Sequence, residues 1–161
     1  MEILHATQDD LAKITEIYNQ NIATKNATAD LTPVSIASRQ EWFDAHSKTR
    51  PIFVLKLENS VVAWGSFSDF YKRSAYDITA EISIYVDKNA RQSGIGSKLL
   101  AFMLDIAPSL GIKTILAIIF AHNKPSISLF NKFGFEKFGL LPQVCDMQEF
   151  IADVLIMGKR V

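Results

Sequence analysis

The chain has almost no cysteine: Cys145 is the only one in 161 residues. An intrachain disulfide and a cysteine-rich metal site are therefore excluded, and a lone thiol of this kind reads as a small packing residue. Net charge is missing as well, since 17 Lys and Arg balance 17 Asp and Glu, leaving no long-range field to draw in nucleic acid or an anionic membrane surface. No stretch approaches the ~20 consecutive apolar residues of a membrane span. The first twenty residues carry Glu2, Asp9 and Asp10 without a basic segment followed by an apolar run, so the expectation is a soluble, cytoplasmic protein. The three histidines, His5, His46 and His122, are too dispersed to suggest a metal site and read as surface or loop residues. No linker, repeat or low-complexity tract interrupts the chain, which predicts one domain over residues 1–161 with one core, burying about 70% of the unfolded surface.

The most organised stretch runs from Thr79 to Leu104. Ala80, Ile82, Ile84 and Val86 alternate with Thr79, Glu81, Ser83 and Tyr85, the two-residue period of a strand with one apolar face. After a turn, Ile95, Leu99, Leu100, Met103, Leu104 and Ala107 recur at three- and four-residue steps, as in an amphipathic helix. Between them lies Arg91-Gln92-Ser93-Gly94-Ile95-Gly96-Ser97. Glycine lets backbone approach a ligand closely, and the free N–H groups of a helix start favour phosphate oxygens. The same two glycines also suit a bare strand-to-helix turn, so both readings stand at this point. A Rossmann fingerprint would need glycine where Leu99 stands, and the G-x-x-x-x-G-K of a Walker loop is absent.

Around this stretch the chain reads as a mixed α/β protein. Glu2 to His5 is a short strand; Thr7 and Asp10 form a near capping box, and Leu11, Ile14, Ile17 and Tyr18 line a helix ending near Gln20. Residues 21–31 lack periodicity and form a loop of the kind that carries function. Thr32-Pro33 predicts a helix start, continued to about His46. Strands follow at Ile52–Leu55 and Val61–Phe70 across an Asn59-containing turn, giving an antiparallel meander with the Glu81 strand. Gly111 ends the central helix. Thr114 to Phe120 is nearly all apolar and lies parallel to the Glu81 strand because a helical crossover joins them. Asn123 caps a helix with Pro125 in its first turn, stopped by Gly134, and strands at 135–140 and 150–157 complete the sheet.

Arg91-x-x-Gly94-x-Gly96 directly after a strand resembles the pyrophosphate loop of the GNAT superfamily of acetyl-CoA-dependent N-acetyltransferases. A second block, from Asn123 through Ser126 and Leu129 to Gly134-Phe135, is similar to that family's Asn-x-x-Ser-x-x-Leu-x-x-x-x-Gly-Phe. Ile17-Tyr18-Asn19, Thr79-Ala80-Glu81-x-Ser83-x-Tyr85-Val86 and Pro142-Gln143-Val144 extend the resemblance to the phosphinothricin and methionine sulfoximine acetyltransferase branch. It implies a central mixed sheet of about seven strands: an antiparallel meander first, a splayed parallel pair at the centre, and helices on both faces.

The resemblance further implies acetyl-CoA as cosubstrate, no metal, a small amine as acceptor, and a homodimer. Gln92, Ser93, Gly94, Ile95, Gly96 and Ser97 would hold the diphosphate, with Arg91 opening the motif. Ile84, Tyr85 and Val86 would pair with the pantetheine arm, one of their N–H donors facing the developing oxyanion, and Asn123 would touch the carrier from the opposite side. Glu81 matches the branch's glutamate and is the candidate general base. Arg73 matches a basic position that suits an amino acid's carboxylate, with Ser74, Ala75 and Tyr76 beside it. The chain departs from the branch at Tyr71 and Asp77, where basic residues are expected, and at Cys145 to Phe150, where a Gly-x-Lys-Phe-Gly-x-Trp pattern is expected. Phe130 stands where many members carry an acidic tyrosine. Asp146 and Glu149 would suit a cationic acceptor such as a polyamine or aminoglycoside, a protein N-terminus is a further alternative, and the Phe130 substitution leaves open a silent acyl-CoA-binding module.

Overall fold

The computed structural model describes residues 1–161. Four helices and seven strands follow in the order β1 (Glu2–His5), α1 (Leu11–Ile22), α2 (Ile36–Asp44), β2 (Ile52–Leu57), β3 (Ser60–Asp69), β4 (Thr79–Val86), α3 (Ile95–Ile106), β5 (Thr114–Phe120), α4 (Lys124–Lys132), β6 (Glu136–Asp146) and β7 (Ile151–Arg160). The strands make one sheet in the order β1-β2-β3-β4-β5-β7-β6. No helix is long and apolar enough to cross a membrane.

Local chemistry accounts for the boundaries. The N–H and hydroxyl of Thr7 both donate to the Asp10 carboxylate, at 2.9 and 3.0 Å, which fixes the turn that launches α1. The expected start of α2 at Thr32-Pro33 is corrected by the structure. Asn19 on α1 accepts from Val34 N and donates to Val34 O, both at 2.9 Å, and this holds Val34 outside the helix. Ser35 is the cap instead, accepting from Ser38 N at 3.0 Å. The β2–β3 hairpin turns on Glu58 and Asn59, with φ of 46° and 67°. Positive φ at both loop residues is what a tight two-residue hairpin requires. The central helix gives way at Ala107 to a short 3-10 turn, which Gly111 ends at φ 78°.

The strand alternation becomes a two-sided core. On one face Phe53, Leu55, Ala63, Phe67, Ala80 and Ile82 meet Leu99, Leu100 and Met103 of α3 and Phe130 of α4. On the other, Val54, Val61 and Trp64 meet Ile14, Ile17 and Tyr18 of α1. Helices therefore cover both faces. Phe67 has no exposed surface, so Phe67→Ala is expected to cost about 3–5 kcal/mol, read as a lowered urea midpoint at unchanged slope.

One interruption positions everything functional. β4 and β5 run parallel, as expected, but pair only from Thr79–Thr114 to Glu81–Leu116. Beyond Glu81 the two strands part, leaving the second half of β4 without a neighbour on that side.

Candidate active site

The gap opens onto a cleft of about 550 Å³. Its floor is Ile84, Tyr85 and Val86 on the unpaired end of β4; one wall is the β4–α3 turn, the other the start of α4, and the end of α1 closes the top.

The turn is shaped by α1. Asp87 accepts from Asn89 N at 2.9 Å and from Lys13 Nζ at 3.1 Å. Gln20 accepts from Lys88 N at 2.9 Å. Burial pushes the Asp87 carboxyl up, but the Asn89, Lys13 and Gln20 donors outweigh it and leave it below its ordinary value. Asn21 accepts from the Arg91 guanidinium at 3.0 Å, turning that side chain along the cleft. Gln92 and Gly94 then take φ of 62° and 79°, and α3 begins.

This path leaves the N–H groups of Gln92, Ser93, Gly94, Ile95, Gly96 and Ser97 with no acceptor in the chain; the first helical bond there is Lys98 N to Gly94 O at 3.0 Å. A run of free donors at a helix start matches the oxygens of a diphosphate. A Cβ added to Gly96 would lie 3.6 Å from both Leu129 on α4 and Val86 on β4. It would clash with nothing in the protein and would project into the cleft, so the missing side chain keeps room for an occupant. On the far wall Asn123, buried, accepts from Ser126 N at 3.2 Å and caps α4. The donor run, the glycine gap and the apolar floor fit a coenzyme with a diphosphate and a long, mostly apolar arm.

Of the residues expected from sequence to meet this ligand, Ile84, Tyr85, Val86, Arg91, Gln92, Gly94, Ile95, Gly96, Ser97 and Asn123 all line the one cleft. Ser93 does not line it; its hydroxyl donates to Ala90 O. Ser74, Ala75 and Tyr76 form an exposed 3-10 turn before β4, with the extended Arg73 at its N-terminal edge, all outside the cleft and close to the strand's first residues. Glu81 is half-buried on the face of β4 that also bears Ser83 and Tyr85, with Ser68 of β3 opposite. No protein group hydrogen-bonds its carboxylate, and burial raises it above its ordinary value.

Sequence reasoning missed Asn21, Thr24, Asn26 and Ala27, which roof the cleft, and Pro125, Ser126 and Leu129 on its wall. The only signal for the first group was that residues 21–31 lack periodicity. Two phenols pin that loop. Tyr18 hydroxyl meets Thr28 Oγ1 at 2.6 Å and also donates to Asp30; Tyr85 donates to Ala27 O at 3.3 Å while stacking on Trp64. Burial, with the Asp30 hydrogen bond, pushes the Tyr18 phenol up to about 12, and burial also raises Tyr85. Both remain donors at neutral pH. His46, read as a surface or loop residue, lies in the loop after α2 but is half-buried against Trp42, its Nδ1 2.7 Å from Trp42 O, and burial lowers it below the usual histidine range.

A seven-stranded sheet parted after its parallel pair, with free amides at the mouth of the gap, defines the acyl-CoA-dependent acetyltransferase class. Residues 14–135 match the model of the acetyltransferase (GNAT) family, and the chain belongs to that family: it is an acetyl-CoA-dependent N-acetyltransferase of the phosphinothricin-type branch. YwnH of Bacillus subtilis strain 168, provisionally named a phosphinothricin acetyltransferase, is 46% identical over 162 residues, 100% of this chain and 99% of that one. The L-methionine sulfoximine/L-methionine sulfone acetyltransferase of Pseudomonas paraeruginosa is 35% identical, across 84% of this chain and 80% of its own. The crystal structure of a phosphinothricin acetyltransferase from Sinorhizobium meliloti in complex with acetyl-CoA superposes with a TM-score of 0.93 at 30% identity, covering 99% of this chain and 88% of that one.

Proposed function

We propose that one N-acetyltransferase domain spanning residues 1–161 moves the acetyl group directly to the primary amine of a small, amino-acid-like molecule, with donor and acceptor held together. The observation that carries this is the cleft at the parted strands, whose lining on β4 begins at Ile84, with Glu81, an unpartnered and desolvated carboxylate outside that lining, at the point of the same strand where pairing with β5 stops. The relatives named for phosphinothricin and methionine sulfoximine support the acceptor class.

Acetyl-CoA, when bound, supplies a thioester carbonyl open to attack by an amine. The N–H groups of Gln92, Gly94, Ile95, Gly96 and Ser97 hold the diphosphate, with Ser93 shaping the turn from outside the cleft, and Arg91, steadied by Asn21, adds positive charge. Ile84, Tyr85 and Val86 offer the arm the backbone groups that β5 leaves unpaired, while Asn123 meets it from α4. Glu81 takes the proton from the acceptor ammonium, directly or through a water. An acid raised by burial suits this work, because a carboxylate whose affinity for a proton is raised takes one from the acceptor more readily. Arg73, on the exposed turn with Ser74, Ala75 and Tyr76, grips the acceptor's carboxylate. Two copies associate as a homodimer, an idea supported by Phe138, Leu140, Leu141 and Val144, exposed along the outermost strand β6.

The test is a panel of amines with release of free thiol as the readout. L-Phosphinothricin and L-methionine sulfoximine are expected to be acetylated in preference to spermidine, an aminoglycoside and an N-terminal peptide. Preference for the polyamine would reverse the acceptor class. No thiol release with any amine, despite acetyl-CoA binding, would overturn catalysis by direct attack. Arg73→Ala is expected to raise KM for the amino-acid acceptor about tenfold or more, as loss of a charged hydrogen-bond pair does, with KM for acetyl-CoA unchanged.

A further inference from the structure

The link from β3 to β4 carries Arg73, and residues 71–78 of it are all exposed. Its three rings pack on one another, Phe70 with Tyr71 at 4.6 Å, Tyr71 with Tyr76 at 5.2 Å and Phe70 with Tyr76 at 6.0 Å. The two ends of the link meet on one side chain from elsewhere. Arg50, in the turn between α2 and β2, is only 7% exposed. A backbone bridge fixes its main chain, Arg50 N donating to Ser47 O at 3.1 Å and Ser47 N to Arg50 O at 3.2 Å. Its Nε lies 2.9 Å from Asp69 Oδ1 at the end of β3, an ion pair whose N–H is not aimed at the carboxylate. Nη2 donates to Asp77 O at 2.6 Å, just ahead of β4, and Nη1 to Thr49 O at 2.8 Å. From Asp77 a run of backbone bonds leads back to Arg73: Asp77 N to Ser74 O at 3.1 Å, Tyr76 N to Arg73 O at 2.8 Å and Arg73 N to Tyr71 O at 2.9 Å. One residue on, Ile78 O already belongs to the sheet, accepting from Lys113 N at 2.8 Å and Thr114 N at 3.1 Å.

We propose that Arg50 is a positioning residue for the acceptor: by pinning the neck of this link it fixes the Ser74–Tyr76 turn, and through it the direction in which Arg73 presents its guanidinium to the acceptor's carboxylate. The inference rests on the Arg73 assignment above and deepens it. A buried guanidinium is destabilising unless oxygens meet it, and the oxygens that meet Arg50 come from both ends of an exposed link and from its own turn. The fork is what joins them. A planar guanidinium reaches several oxygens at set angles, whereas a lysine ammonium is a point charge on a flexible stem. The turn offers Arg73 no packing that would restore its aim, and a small misplacement of a substrate-positioning group is felt strongly. Arg50 itself never touches the acceptor; it acts through the backbone that joins Asp77 to Arg73.

The experiment is steady-state kinetics of the full chain with L-methionine sulfoximine as acceptor, alongside calorimetric titration with acetyl-CoA. Arg50→Lys keeps the charge and loses the fork; it is expected to raise KM for the acceptor about tenfold, with kcat and the Kd for acetyl-CoA each within about twofold of wild type. On an Arg73→Ala background the same change is expected to add less than about twofold, because two residues acting through one contact are not additive. A merely structural role would lower Tm and leave that coupling absent. Asp69→Asn, at the more exposed end of the ion pair, is expected to raise the same KM about twofold to fivefold, and keeps the proposal falsifiable if the lysine variant fails to fold. An unchanged acceptor KM in a folded Arg50→Lys would overturn the proposal. So would an undiminished effect on the Arg73→Ala background, or an equal loss of acetyl-CoA affinity. An acceptor KM unmoved by Arg73→Ala alone, or no turnover of the acceptor by the wild type, would instead overturn the acceptor reading itself, and the role of Arg50 with it.

Discussion

Glu81→Gln is expected to lower kcat by about 10²- to 10⁴-fold, the usual contribution of a positioned general base, while the Kd for acetyl-CoA stays within about twofold. Glutamine keeps the shape and removes only the proton acceptor. The wild-type kcat/KM is expected to fall on the acid side with a midpoint above the ordinary 4.5 of a glutamate, because burial raises this carboxyl. In the variant that limb disappears. Stability supplies an independent check with a definite sign. A glutamate raised in the folded state binds more protons folded than unfolded, so its stabilising share is present below the unfolded value and is lost as pH rises through the folded one. Glu81→Gln is therefore expected to raise Tm relative to wild type at pH 7 and to lose that advantage near pH 4. Full turnover at pH 7 would remove Glu81 from the chemistry, and a Tm difference independent of pH would remove the desolvation account.

The second large effect concerns binding. Gly96→Val is expected to weaken acetyl-CoA by about 100-fold or more, since displacing atoms from a tight apolar gap and losing the neighbouring amide contacts each cost on the order of 1–3 kcal/mol. The fold is expected to survive. A Cβ there meets only Leu129 and Val86, at an ordinary 3.6 Å, and the position is already helical. Gly94→Ala makes the contrasting case: nothing lies within 4 Å of its Cβ, but φ is 79°, which costs a non-glycine residue about 1–2 kcal/mol. One variant loses ligand and keeps Tm; the other loses Tm first. If Gly96→Val bound the coenzyme as the wild type does, the occupant of the gap would have to be something else.

The cleft half of the candidate site was legible in the sequence because the motifs that carry the family resemblance are local. Gly94 and Gly96 sit within one turn, Asn123 caps the helix it opens, and the alternation through Ile84 and Val86 declares a strand; the resemblance carried by these short motifs grouped ten residues that line one cleft. Asn21 carries no such mark, and Tyr18, though it stands in the Ile17-Tyr18-Asn19 motif, shows nothing there of its role in the fold. Their importance comes from Arg91 and Asp30, partners met only in the folded chain, and an asparagine or tyrosine on a helix face looks the same with or without them. The α2 boundary failed for a similar reason: Pro33 is a sound helix opener by itself, yet the two hydrogen bonds exchanged with Asn19 hold Val34 outside the helix and Ser35 takes the cap. The burial of His46 came from packing on Trp42, which spacing along the chain does not reveal.

The parting of β4 from β5 has a consequence for the resting enzyme. A sheet usually hides its raw edges at its rims, yet here an unsealed seam runs through the middle of the molecule, flanked by Ile84 to Val86. Whatever zips that seam becomes structural mortar as much as reagent. Amide-deuterium uptake at Ile84 and Val86, whose N–H groups point away from β3, is accordingly expected to slow once the donor is present, and the protein to resist proteolysis in proportion to how well it is supplied with substrate.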